Sequence, residues 1–210
     1  MVNGRDIEHN VVRRMNIGDI PKRTAARCPD RVALVYGDRK ITFKELNENC
    51  CRMAHVFEGL GIRRGDRITF MTHNCLQYIY SWMGACKIGA IINPLNFMLK
   101  PQEIEYIVNN AESRLFFVED VLAAAVLEAA PKLKSVEKFG IIPITAPDTP
   151  LPEGWLSIDE LFAVTEDVTE PVVETDDEDM CSLMNTSGTE ALPKGVMNTH
   201  KNFFNTLMSG

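Results

Sequence analysis

Short apolar runs alternate along this chain with stripes of apolar residues at helical spacing. No other feature restricts the architecture as strongly. Leu46, Cys50, Met53, Ala54 and Phe57 share one helix face, as do Ile79, Trp82, Met83 and Cys86. Ile104, Ile107, Val108 and Ala111 make a third such face, and Leu122, Ala125, Val126 and Ala129 a fourth. Between them lie strand-like runs at Arg67 to Thr72, Ala90 to Asn93 (stopped by Pro94), Arg114 to Val118 and Phe139 to Ile144. Parallel neighbours need a connection of about a dozen residues or more, and helices of this size between short strands supply it. The expected fold class is α/β, a mostly parallel sheet flanked by helices.

Local signals add detail. Asp19 to Cys28 reads as a short helix ended by Pro29. Arg31 to Tyr36 and Lys40 to Thr42 flank Gly37-Asp38, a hairpin turn, so some antiparallel pairing is expected early. Thr42-Phe43-Lys44-Glu45 matches a capping box, and Ser157-Ile158-Asp159-Glu160 matches a second, opening a helix to about Val164. Gly59 and Gly61 end the helix that Thr42 begins. Pro143 to Gly154 holds four prolines and is a loop. The expected division is an N-terminal α/β subdomain over 1–165, an acidic solvated connector over 166–179, and a further unit over 180–210.

Composition removes several function classes. Of 210 residues, 45% are hydrophobic and 24% charged, enough for a real core. A formal net charge of -7 with scattered Lys and Arg argues against nucleic-acid binding. No run of about 18 apolar residues exists to span a membrane. The six cysteines form no C-x-x-C, so no metal site is expected. With no signal peptide in view, a reduced, cytoplasmic setting is the expectation. His9, His55, His73 and His200 are scattered, with His55 on a helix surface and His200 in a helix-start motif. Asp176 to Asp179 read as a charged lead-in to a strand. Trp82 and the methionines near it read as core.

Chemistry concentrates in Met180 to Asn202. A short strand from Met180 to Met184 precedes Thr186, Ser187, Gly188 and Thr189. Pro193-Lys194-Gly195 follow, then a second strand at Val196-Met197 and a helix start near Thr199. Hydroxyls and the amides around Gly188 can donate to phosphate oxygens, and Lys194 adds a mobile positive charge. A Walker A loop is excluded: its Lys follows Gly and precedes Ser or Thr, whereas Lys194 lies between Pro193 and Gly195. On composition alone, a Ser/Thr/Gly-rich turn reads as a plain turn rather than a phosphate site.

Order adds what composition lacks. Asn185-Thr186-Ser187-Gly188-Thr189-Glu190-Ala191-Leu192-Pro193-Lys194-Gly195-Val196, then Thr199-His200-Lys201-Asn202, resembles the signature loop of the adenylate-forming superfamily. That group holds acyl-CoA synthetases, luciferases and peptide-synthetase adenylation domains. The likeness runs from about Ile17 onward, through Tyr36 to Leu46, Gly61 to Arg67 and Gly84 to Asn96. The Asn93-Pro94-Leu95-Asn96 run resembles fatty-acyl members. Asn185 stands where an aromatic is usual, Glu190 where a second Thr is usual and Ala191 where a Gly is usual. A carboxylate repels a triphosphate unless a cation intervenes, and Ala191 narrows the backbone choices.

The resemblance implies the N-terminal portion of the large domain of an acyl-CoA synthetase. It implies ATP, Mg2+ and coenzyme A, with a carboxylic acid of the fatty-acid kind as substrate and a homodimer as a compatible assembly. It places Thr186, Ser187, Gly188, Thr189, Glu190 and Lys194 at the phosphates. No catalytic set is complete: the magnesium-binding acid, the acyl pocket and a C-terminal lysine come later in such chains, so these residues alone are expected not to adenylate a substrate. Two other readings stay open. One is a non-catalytic binding or regulatory module keeping the fold, which Glu190 and Ala191 favour. The other is a small nucleotide-binding kinase, which the Pro-Lys-Gly order disfavours.

Overall fold

A computed structural model describes residues 10, 13–186 and 193–209. A 3-10 turn at Ile17–Asp19 leads into helix α1 (Ile20–Ala25), so the helix expected from Asp19 to Cys28 forms in a shorter version. Strands β1 (Val32–Tyr36) and β2 (Arg39–Thr42) pair antiparallel, and Gly37 turns between them at φ 58°. Thr42 then caps α2 (Phe43–Gly59): its hydroxyl accepts the Glu45 N–H, and Glu45 accepts the Thr42 N–H in return.

The main body is the expected α/β unit. In order come β3 (Arg67–Met71), α3 (Leu76–Lys87), β4 (Ile91–Leu95), α4 (Pro101–Ala111) and β5 (Leu115–Glu119). After them come α5 (Ala123–Ala129), β6 (Lys138–Ile142), β7 (Leu156–Ser157) and α6 (Ile158–Val164). Strands β8 (Met180–Thr186) and β9 (Lys194–Thr199) follow, then α7 (His200–Met208). Seven strands form one sheet in the order β7-β6-β5-β3-β4-β8-β9, parallel except for the β8–β9 hairpin.

Both faces are covered, as a parallel sheet demands. Ile68, Phe70, Ile92, Leu115 and Phe117 face α2, α3 and α6 in one core cluster. Met71, Leu95, Phe116 and Val118 alternate with them and face α4 and α5 in a second. Helices α2 and α3 lie close because residue 84 has no side chain. A Cβ on Gly84 would sit 2.7 Å from the Cys50 carbonyl oxygen.

Three readings change. Pro94 does not stop its strand, which runs on to Leu95 with Phe70 and Pro94 in register. Proline lacks an N–H, and the pairing of β4 with β8 is confined to Ile92 and Ser182, so the missing donor interrupts no longer ladder. His55 is half-buried rather than on the surface, because Thr169 O lies 2.9 Å from Nε2 and Glu58 Oε2 lies 2.9 Å from Nδ1. The acidic segment 166–179 is a strap rather than a solvated tether. Lys87 is fully buried, and its ammonium donates to Glu170 Oε2 at 2.8 Å and Asn47 Oδ1 at 3.0 Å. Thr175 is buried under Asn16 and Asn10, Asp177 accepts the Met15 N–H, and Asp179 accepts from Arg64. Arg14 pairs with Asp19 and reaches the Val173 carbonyl.

Burial by itself would raise the Glu170 carboxyl, but Lys87 and Asn47 hold it below its ordinary value. Its contribution is therefore complete above the ordinary carboxylate range, about pH 4.3 for Glu. It is lost as pH falls through the lower folded value. Glu170→Ala leaves the Lys87 charge buried with Asn47 alone and is expected to cost about 3 kcal/mol. Urea unfolding at pH 7 and at pH 3 measures this, and the difference between variant and native protein shrinks at the lower pH.

Candidate functional site

The β8–β9 hairpin carries the chemistry-bearing segment at the C-terminal edge of the sheet. Six positions pair, from Met180 with Thr199 to Thr186 with Lys194. A register shift between Met180 and Ser182 marks a bulge, from which the Cys181 thiol donates to the Asn198 carbonyl at 3.4 Å. Thr186 and Lys194 are thus brought opposite each other at the hairpin's root, and the Thr186 hydroxyl donates to the Lys194 carbonyl at 3.4 Å. Both side chains are exposed. Ser187, Gly188, Thr189, Glu190, Ala191 and Leu192 lie outside the described residues.

The motif after the hairpin has a local explanation. Thr199 caps α7 by accepting the Asn202 N–H at 3.2 Å, and its hydroxyl donates to Asn202 Oδ1 at 2.6 Å. His200 turns inward, fully buried, and its Nδ1 accepts the Ile17 N–H at 3.3 Å. The tautomer follows: with Nδ1 accepting, a neutral ring carries its proton on Nε2, which has no hydrogen-bond partner within the described residues. Beside it, Cys86 and Cys181 share a small cluster with Ile17. Burial pushes the Cys86 thiol up, while the neighbouring Cys86 and His200 draw Cys181 down against its own burial. Both thiols are fully buried, which suits packing rather than attack on a substrate.

A second feature escaped the reading of the sequence. Helix α3 leaves β3 toward one face of the sheet, and α5 leaves β5 toward the other. The crevice between two such strand ends is where open α/β sheets place ligands. Here Glu119, buried at the end of β5, accepts the His73 backbone N–H at 2.8 Å, and its Oε2 lies 2.8 Å from His73 Nδ1. The Phe97 ring, from the end of β4, covers the imidazole with centroids 4.2 Å apart. The hydroxyls of Thr72 and Thr145 both reach Glu119 at 3.4 Å. Its signal was present but faint: a His directly beyond one strand and a Glu closing the next. Among the described residues, no group of three or more His, Cys, Asp and Glu side chains is gathered to hold a metal ion. No helix among them is long and apolar enough to cross a membrane.

The fold defines an open α/β protein whose edge hairpin sets Thr186 opposite Lys194 at the C-terminal end of β8. Comparison with known proteins places it further. The chain belongs to the AMP-binding enzyme family, whose model matches residues 21–210. It is 29% identical over 194 residues to 4-hydroxybutyrate--CoA ligase 2 of Metallosphaera sedula, covering 90% of this chain and 35% of that protein. It is 31% identical over 183 residues to a crotonobetaine/carnitine--CoA ligase of Salmonella arizonae, covering 82% and 34%. An anthranilate CoA ligase solved with anthranoyl-AMP superposes with a TM-score of 0.85 at 28% identity, over 92% of this chain and 36% of that one. A fatty acyl CoA synthetase of Mycobacterium tuberculosis gives 0.75 at 27%, over 89% and 35%. The chain therefore spans about a third of the length of the relatives it matches, and its sheet corresponds to the N-terminal part of the adenylate-forming large domain.

His200 holds the start of α7 against the Ile17 turn, so truncating it opens a cavity and leaves the Ile17 donor without an acceptor. His200→Ala is expected to lower stability by about 2–4 kcal/mol. Equilibrium unfolding in urea measures the change.

Proposed function

We propose that the intact polypeptide carrying this chain is an ATP-dependent acid–CoA ligase, and that residues 186–194 hold the tail of the nucleotide. The observation that supports this best is the register of the hairpin. Thr186 and Lys194 stand opposite each other at the C-terminal edge of β8, which brings the two ends of the proposed phosphate-holding segment together. Thr186, Ser187 and Thr189 supply hydroxyls, Gly188 permits close backbone approach, Glu190 is the nearby acid, and Lys194 supplies an ammonium.

In the proposed reaction a carboxylate oxygen attacks the α-phosphorus of ATP. The bond from that phosphorus to the bridging oxygen breaks, pyrophosphate leaves with the electron pair, and an acyl-adenylate forms. The thiol of coenzyme A then gives up its proton and displaces AMP, leaving a thioester. Two anions must meet in the first step, so the protein's task is to position them and offset charge. Lys194 and the hydroxyl donors hold the β- and γ-phosphates in place while the leaving charge develops. Mg2+, when bound with ATP, would neutralise phosphate charge.

The substrate is proposed to be a carboxylic acid, with fatty acids the first to test. Support comes from the Asn93-Pro94-Leu95-Asn96 run and from relatives that carry acid–CoA ligase names. The 210 residues alone are expected to give no ATP–pyrophosphate exchange.

Changing Ser187, Thr189 and Lys194 together to Ala in the intact polypeptide is expected to weaken Mg-ATP binding about 100-fold, through lost charge-assisted and hydroxyl hydrogen bonds. Titration calorimetry reads it. Unchanged affinity would remove the proposed grip.

A further inference from the structure

A line of buried hydrogen bonds crosses the sheet beneath α4 and ends at the root of the hairpin. Asn185, on β8, donates from Nδ2 to Asn93 Oδ1 at 2.9 Å. Asn93 donates from its own Nδ2 to Thr69 Oγ1 at 3.0 Å. The Thr69 hydroxyl donates to Ser113 Oγ at 2.7 Å. Thr69, Asn93 and Ser113 are fully buried, and Asn185 is half-buried. Strand alternation puts Thr69 with Met71 and Asn93 with Leu95, on the face that α4 covers.

Polar groups on such a face are costly unless bonded, and apolar residues would fill the space at lower cost. The line therefore asks for a reason beyond packing, and the backbone offers one. Strands β4 and β8 share a single registered pair, Ile92 with Ser182. Pro94, two residues further along β4, has no N–H with which to extend it. One backbone pair fixes the register of β8 weakly, and a slip would shift the hairpin along the sheet. The Asn93–Asn185 bond supplies a second anchor nearer the C-terminal edge. Its direction is defined: each amide or hydroxyl donates toward β5, so Asn93 is held from both sides. Asn185 directly precedes Thr186.

We infer that Asn93 and Asn185 are positioning residues that set the height of Thr186 and the hairpin root relative to the strand-end edge. The inference rests on the proposed grip of residues 186–194. Neither asparagine touches the nucleotide in this scheme; both act through Thr186 and the hairpin root.

The test uses the intact polypeptide with Asn185→Ala, Asn185→Leu, Asn93→Ala and the double variant Asn93→Ala/Asn185→Ala. Mg-ATP affinity is read by calorimetry and stability by the melting temperature. Asn185→Leu keeps the side-chain size and removes the bond, and Asn185 is only half-buried, so this variant stays folded if Asn93→Ala does not. Each single variant is expected to weaken Mg-ATP binding about tenfold. The double variant is expected to lose about tenfold as well, rather than the product of the two, because both remove one shared interaction. Both Asn185 variants leave the buried Asn93 Oδ1 unbonded and are expected to lower the melting temperature by a few degrees while staying fully folded at the temperature of the calorimetry, which separates positioning from simple loss of stability.

Native affinity in both Asn185 variants, or a double variant whose losses multiply, overturns the inference. So does an affinity loss seen only where the variant is partly unfolded at the temperature of the calorimetry. The Ser187/Thr189/Lys194 variant runs beside them. If it loses Mg-ATP while the Asn185 variants do not, only the positioning role fails. If it binds unchanged, the grip is absent and the inference falls with it.

Discussion

Lys87 carries a positive charge at a site with no solvent exposure, and the way the chain satisfies it organises much of the rest. Its aliphatic stem lies beside residue 18, where even a Cβ would come within 3.0 Å of it, so the 3-10 turn at Ile17–Asp19 packs directly on α3. Its ammonium reaches Asn47 on α2 and Glu170 on the acidic strap. One side chain thus joins α2, α3 and a segment more than eighty residues away in sequence. Breaking such a pair is costly because the surviving charge cannot return to water without moving the helices. The strap then runs on through Thr175 and Asp179 to β8, so the route from helix pair to hairpin is covalently short and held at several points.

The parts of this arrangement that depend on local chemistry were legible in the sequence. Leu46, Cys50, Met53 and Phe57 are all buried on one face of α2, and the Thr42 capping box forms with both of its bonds. The Ser157 box is weaker: its hydroxyl accepts the Glu160 N–H at 3.4 Å. The alternation of helices and short strands led directly to a mostly parallel sheet, because crossover length leaves few other ways to pair strands. Periodicity carried no information about partners distant in the chain. Nothing local to His55 announces Thr169, and nothing in a run of acidic residues says that Glu170 meets a buried lysine. Pro94 misled because a proline is a stop signal only where its N–H would be used.

The candidate site shows the same division. The order of residues from Met180 to Asn202 gives two short strands and a helix start, and the hairpin pairs Thr186 with Lys194. The sequence reads His200 as part of a helix start, and its buried contact with the Ile17 turn gives that position a packing role. The His73–Glu119 pair and the polar line from Ser113 to Asn185 were hidden for one physical reason. Each assembles from neighbouring strands of the sheet, and strand order cannot be read from a single sequence.

The outer border of the sheet has a consequence for handling the protein. Among the described residues β9 pairs only with β8, and Val196 and Met197 are exposed along it. Such a border can recruit a strand from another molecule. Mutual repulsion from the net charge of -7 opposes that encounter. Because salt shortens the reach of that repulsion, colloidal behaviour should worsen as ionic strength rises, the reverse of a protein held in solution by shielding attractive charges.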